Sequence, residues 1–279
     1  MNTKYRNIGI IYHGRLTAAK DFAASLERFL QQADAAVWRC AAAQEEEIRK
    51  NAPNSELVVS VGGDGTLLRA ARAVATWGIP IVGINLGKLG FMTELTAAEA
   101  FEKLPGLLSG QGWTDVRAMI SARTSHSPKQ FQALNDVVIG RGSALRIIRI
   151  EARIDGQTLT EYRADGVIVA TATGSTGYSL ATGGPILHPQ SRDILLQPIC
   201  PHLSFAHCLV LPASAIIGLK VTTDHQAILS IDGQVETSLS SGEEVTVCLS
   251  ESVVRLLRLH PPVYFFGSLT QRLRGEPVR

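Results

Sequence analysis

The chain has 279 residues, 45% of them apolar, with 27 lysines and arginines against 25 aspartates and glutamates and a formal net charge of +2. That length suits about two domains of roughly 100–200 residues each, and the near-balanced charge offers no footprint for nucleic acid or a polybasic membrane surface. The start, MNTKYRNIGIIYHG, turns polar after one short apolar run and does not read as a secretory signal, and no apolar stretch approaches the roughly 20 residues that cross a bilayer.

IGIIY (8–12) is the first expected strand. After it, Thr17 is placed to cap a helix in which Ala18, Phe22, Leu26 and Phe29 recur at helical spacing. AAVWRC (35–40), LVVSV (57–61) and IPIVGIN (79–85) are further short apolar runs, separated by the helix formers QEEEIRK and TLLRAARAVAT. Strand alternating with helix is the signature of a parallel sheet flanked by helices. After Met119 the rhythm changes. ALRIIRIEARIDGQTLTEYRADGVIVATAT reads as strands joined at turns, the first at Asp155-Gly156, and AIIGLKVTTDHQAILSIDGQVETSLSSGEEVTVCLS continues with short strands and little helical period. The expected architecture is an α/β domain over 1–117 and an all-β, sandwich-like domain over 118–261. The helical tail 262–279 packs back on the first domain in this reading, and the cleft between domains is the default ligand site.

GGDGT (62–66) sits where LVVSV ends and a helix begins, the carboxyl end of a parallel strand, where open α/β sheets bind ligands. Gly62, Gly63 and Gly65 let backbone N–H groups approach a phosphate. Thr66 can cap the helix, whose N-terminus also favours an anion, and Arg69 lies one turn in. Asp64 repels phosphate, so it makes sense if it takes a proton from an attacking hydroxyl or helps hold Mg²⁺. The plainer alternative is a tight turn with an incidental aspartate. No GxxxxGK[ST], GxGxxG or GxSxG motif is present.

YRADGVIVATATGSTGYSLATGGP (162–185) runs from an apolar strand into small hydroxyl residues that suit a pocket for sugar hydroxyls and phosphates, with Tyr178 as a stacking face. A polar loop leaving a sheet fits the same composition. LNDVVIG (134–140) puts Asn135 and Asp136 at a strand start, where an Asx turn is the alternative. The four cysteines lack CxxC spacing and read as free thiols of a reducing cytosol, so the chain is expected to be cytoplasmic. CPHLSFAHC (200–208) gathers Cys200, His202, His207 and Cys208, but its spacing matches no standard zinc pattern and it alternates like a strand pair, with buried thiols.

GGDGT, NLGKLGF (85–91), LNDVVI (134–139), RADGVIVATATGSTGYSLATGGPI (163–186) and SIDGQ (230–234), taken in this order, resemble the bacterial NAD kinases over nearly the whole chain. GGDGT alone is shared with diacylglycerol and sphingosine kinases and, more loosely, phosphofructokinases; the Thr/Gly segment narrows the match. The resemblance implies phosphoryl transfer from ATP to the 2′-hydroxyl of the adenosine ribose of NAD, with Asp64 as proton acceptor and Mg²⁺ or another divalent cation accompanying ATP. It implies dinucleotide contacts from Asp64, Gly65, Arg69, Asn135, Asp136, Arg146, Arg163, Asp165, Thr173, Thr176, Gly177, Tyr178, Ser179, Leu180, Ala181 and Gln234, with Phe91 near the adenine. It also implies a homodimer or homotetramer with Asp165 and Tyr178 near a subunit boundary, and leaves polyphosphate open as a donor. Two stretches depart from the family pattern: Ala172 stands where proline is usual and Gly177 where alanine is usual, so the loop should be less stiff, and His207-Cys208 stands where arginine or another polar residue followed by proline is commoner.

Overall fold

A computed structural model describes residues 4–87, 90–142 and 146–274. Lys88 and Leu89 of the NLGKLGF motif, Ala144 and Leu145 of the first expected β stretch, and the end of the tail, 275–279, lie outside the described residues. Two compact units are present: one runs to Val116 and resumes at Val254, and the other spans Arg117–Val253.

The first unit alternates strand and helix: β1 (Asn7–Tyr12), α1 (Thr17–Gln31), β2 (Ala36–Ala41), α2 (Glu45–Asn51), β3 (Leu57–Gly62), α3 (Asp64–Val74), β4 (Pro80–Asn85), β5 (Leu95–Thr96) and α4 (Ala97–Leu108). The strands pair in parallel in the order β2-β1-β3-β4, with β5 beside β4, so the winding reverses between β1 and β3. β3 is buried along its whole length, as a strand covered on both faces must be. The apolar stripe of α1 is Ala19, Ala23, Leu26 and Leu30, one position on from the expected Ala18 and Phe29. Phe22 and Phe29 flank that stripe and pack on Phe101 of α4, each with ring centroids 5.3 Å apart. Thr17 is the first helical residue rather than the cap, a position held by Leu16 without a side-chain bond.

The second unit is a sandwich. β8 (Asp136–Arg141), β11 (Gly166–Ala170), β12 (Ile194–Ile199), β13 (Leu209–Leu211), β15 (Ala227–Ile231) and β16 (Val235–Leu239) form one antiparallel sheet in the order β13-β12-β11-β8-β15-β16. The facing sheet contains β9 (Ile148–Ile154), β10 (Gln157–Ala164) and β14 (Ile216–Thr222), joined by β6 (Trp113–Thr124), β7 (Ser127–Ala133) and β17 (Glu244–Arg258). Val137, Ile139, Val167, Val169 and Leu196 from one sheet meet Ile150, Tyr162, Leu219 and Val247 from the other in a single buried core. Alternation then turns Val138, Ile168 and Leu195 to the outer face of the first sheet. The Asp155-Gly156 turn has φ of 50° and 82°, both left-handed, as a tight hairpin between β9 and β10 demands. The expected strand pair at 200–208 is absent: Cys200 and Leu203 have φ of 47° and 48°, which a strand cannot contain, and the segment is a loop with Cys200 exposed rather than buried. After β17 the chain ends its described course in α6 (Tyr264–Arg274), part of the first unit.

Candidate active site

In the first unit, β3 delivers the glycine loop to the carboxyl side of the sheet, next to the reversal between β1 and β3. α3 starts at Asp64, with Gly63 in the capping position and its carbonyl taking the N–H groups of Thr66 and Leu67. Thr66 is therefore inside the first turn and buried, not a cap. Its side chain explains Gly62, since a Cβ there would come within 2.3 Å of the Thr66 hydroxyl. A Cβ on Gly63 or Gly65 would meet nothing within 4 Å, so there is open space beside both residues. Arg69 is half-buried on the same helix.

Asp64 is held by three consecutive amides. Its Oδ2 accepts the Phe91 N–H at 2.8 Å, and its Oδ1 accepts those of Met92 and Thr93, both at 3.2 Å. Gly90 passes so close that a Cβ would lie 2.3 Å from the Asp64 carboxylate. The carbonyls of the same segment face arginines: Arg258 Nη1 donates to Met92 O at 2.7 Å, and Arg272 Nη1 donates to Gly90 O. Arg258 is buried with Glu94 and Asp115 as ion partners, each at 3.2 Å. Desolvation first, then the Arg258 charge, lowers the pKa of Arg272, but a guanidinium stays protonated.

In the second unit, a cavity of about 350 Å³ lies on the outer face of the β8–β15 pair, lined by Asn135, Asp136, Val138, Tyr178, Ser230, Asp232 and Gly233. Period-two alternation puts Asp136 and Val138 of β8 on that face, and Ser230 faces it because Leu229 and Ile231 point into the core. An adjoining cavity, sharing Val138 and Tyr178, is walled by Arg141 and Asp165, whose side chains pair at 3.0 Å. Asp232 anchors the floor: Oδ1 accepts the N–H groups of Asn135 and Asp136 at 2.7 and 3.1 Å, and Oδ2 accepts that of Leu134 at 3.1 Å. Burial, and second the charge of Asp232, push the Asp136 carboxyl up to about 7.

The hydroxyl-rich segment is used differently from the expected pocket lining. Thr171 Oγ1 donates to Leu134 O and accepts the Gly174 N–H; Ser175 Oγ donates to Ala172 O and accepts the Leu187 N–H; Thr176 Oγ1 donates to Thr173 O. Thr173, Ser175 and Ser179 are buried. The hydroxyls of Thr171, Ser175 and Thr176 brace the turn itself, and the residue the segment exposes at both cavities is Tyr178. Of the expected contacts, Asn135, Asp136, Asp165 and Tyr178 come together at the two cavities, with Gly177 adjacent: a Cβ there would be 3.7 Å from Asn135 Nδ2 and 3.9 Å from an Asp136 oxygen. Thr176 and Leu180 are half-buried and Ala181 exposed around the turn, and Gln234 follows the Asp232-Gly233 hairpin. Arg146, on the surface, contacts His225 at 3.0 Å, and Arg163 is exposed on β10; neither lines these cavities. The sequence reading missed Asp232, Arg141, Arg258 and Arg272. The one local signal was the Asp-Gly turn at 232–233, with φ of 53° and 62°.

Residues 15–112 match the ATP-NAD kinase N-terminal domain and residues 134–259 the ATP-NAD kinase C-terminal domain. A NAD kinase of Dehalococcoides mccartyi is 44% identical over 276 residues, covering 98% of this chain and 97% of that protein. One from Chloroflexus aurantiacus is 41% identical over 222 residues, covering 78% and 80%. Among solved structures, yeast NADH kinase complexed with NADH aligns with a TM-score of 0.83 at 26% identity, over 98% of this chain and 91% of that one. An NAD kinase from Archaeoglobus fulgidus in complex with ATP aligns at 0.79 and 27%, over 96% and 99%. An α/β unit with a glycine-loop aspartate, a β-sandwich with a carboxylate-floored cavity, and close relatives along the whole chain have one reading: the chain belongs to the NAD kinase family and phosphorylates NAD at the expense of ATP.

Proposed function

We propose that Asp64 is the general base of this reaction and that the cavities of the sandwich unit hold the dinucleotide. The observation that carries the proposal is the glycine-loop carboxylate gripped by three successive amides. Three donors occupy three of the roughly four lone-pair sites a carboxylate offers, leaving one on Oδ2 for an incoming hydroxyl. The ribose 2′-hydroxyl gives its proton to that oxygen while its own oxygen bonds to the γ-phosphorus. The bond from that phosphorus to the β–γ bridging oxygen breaks, and ADP leaves. The glycine loop at the start of α3 suits the phosphates of ATP, since a helix N-terminus favours an anion.

Asn135, Asp136, Asp165 and Tyr178 serve the dinucleotide, the carboxyl and amide groups meeting ribose hydroxyls and the phenol ring offering a stacking face. A divalent cation such as Mg²⁺ neutralises phosphate charge when ATP is bound. A single carboxylate beside the glycine loop fits a metal that would be carried in on the phosphates and coordinated largely by water, rather than one held in an all-protein cage. The chain is read as a cytoplasmic homodimer or homotetramer; Tyr178, 47% exposed, fits a position near a subunit boundary.

The test uses purified protein with NAD or NADH and with Mg-ATP or polyphosphate in parallel, the product being detected by an NADP-specific dehydrogenase. Asp64→Asn should lower the rate by roughly 10²–10⁴, the usual worth of a general base. Turnover within a few-fold of the parent would remove Asp64 from the chemistry.

A further inference from the structure

We propose that Arg272 is a positioning residue for phosphoryl transfer: it latches the Gly90–Thr93 segment in the conformation whose amides aim the Asp64 carboxylate. The inference rests on the reading of Asp64 as base. It follows from how the segment is held on two sides. Its N–H groups at Phe91, Met92 and Thr93 point to Asp64, while its carbonyls at Gly90 and Met92 point to two arginines. Inside the segment the Gly90 N–H bonds to Thr93 Oγ1 at 3.1 Å, which tightens the turn.

The two arginines differ in kind. Arg258 sits between Glu94 and Asp115 in a buried ion network, which ties strands and tail together whatever the reaction. Arg272, like Arg258, donates to a backbone carbonyl of the segment, but its Nε donates to Ser268 Oγ at 2.9 Å, and its guanidinium lies 5.9 Å from the Phe91 ring centroid and 5.6 Å from that of Tyr264. Ser268 is fully buried and bonded to Tyr264 O at 2.7 Å, and Tyr264 stacks on His260 with centroids 4.1 Å apart. His260 in turn contacts Glu94 at 2.8 Å. The helix that carries Arg272 is thus fixed, and the guanidinium plane is set against Phe91, the residue whose N–H bonds Asp64 Oδ2. A lysine keeps the charge but cannot reach both acceptors and stack in one geometry.

The experiment compares the full chain with Arg272→Ala, Arg272→Lys and, in parallel, Asp64→Asn, measuring kcat, both KM values, melting temperature and deuterium exchange at the amides of Phe91, Met92 and Thr93. Arg272→Ala should speed exchange at those amides at least tenfold and lower kcat by roughly 10–100-fold, the scale of a misplaced catalytic group, with both KM values within about threefold. Arg272→Lys should recover little of either and serves as the second variant if the alanine protein does not fold. Unchanged exchange would overturn the proposal, as would faster exchange at full kcat. A raised KM for ATP with kcat retained would also overturn it, by making Arg272 a direct phosphate contact. If Asp64→Asn keeps its rate while Arg272→Ala loses its own, the base assignment fails and the link through Asp64 with it. An inactive Asp64→Asn beside a fully active Arg272→Ala leaves the base in place and removes the latch.

Discussion

Asp136 and Asp232 are joined twice through the backbone, the Asp136 N–H bonding to the Asp232 carboxylate at 3.1 Å and the Asp232 N–H to the Asp136 carbonyl at 2.9 Å, so two buried carboxyls face one cavity.

One consequence is a pH signature in stability. The Asp136 carboxyl rises from 3.8 to about 7 on folding, because of burial and then Asp232. Between those values the folded state keeps a proton that the unfolded chain has released, so this group's contribution is full at low pH and is lost as pH rises through 7. Asp136→Asn carries no such proton. It should gain stability on the parent between pH 5 and pH 8, by about 2–4 kcal/mol, as read from urea midpoints at the two values. An equal difference at both would refute the assignment.

Asp232→Asn should cost about 1–3 kcal/mol, because its amide NH₂ would face a backbone N–H that now has a carboxylate oxygen. It should also weaken NAD binding, by loosening Asn135 and Asp136, and move the Asp136-dependent midpoint to lower pH, since a neighbouring negative charge is gone. Titration calorimetry and the same urea series check both.

Gly90→Ala separates activity from stability. The new methyl meets the Asp64 carboxylate at 2.3 Å, and the movable end of a side chain gives way more easily than backbone does. kcat should fall by at least tenfold, the scale of a displaced catalytic group, while the melting temperature changes little. A loss of stability with the rate intact would contradict this geometry.

Arg258→Ala removes an arginine that pairs with both Glu94 and Asp115, whose side chains are 3% and 4% exposed. Breaking a buried ion pair by removing one partner costs about 3–5 kcal/mol. Denaturant unfolding of the two proteins side by side measures the loss.

The architecture was legible because it rests on short-range physics. Strand-helix alternation, the change of period and the Asp155-Gly156 turn all follow from local pattern. The glycine loop was legible as a turn between a strand and a helix. The fate of the hydroxyls was not, since composition cannot tell whether Thr171 bonds a ligand or the Leu134 carbonyl. Nor could it be read that Cys200 and Leu203 turn left-handed and break an alternating run. The grip on Asp64 was hidden for another reason. Its donors lie 27–29 residues away, and the arginine holding those donors a further 182 beyond Gly90, distances over which no periodicity speaks.

That last separation bears on biosynthesis. At roughly 5–20 residues per second on the ribosome, the Gly90 stretch waits on the order of 10–40 s before its partner on the last helix is even made. Strands β1 to β4 can assemble on the nascent chain in that interval, with their aspartate already in place but not yet oriented. Under the proposed latch, competence for catalysis is acquired late in translation, and a chain released early would fold its sheet and still be idle.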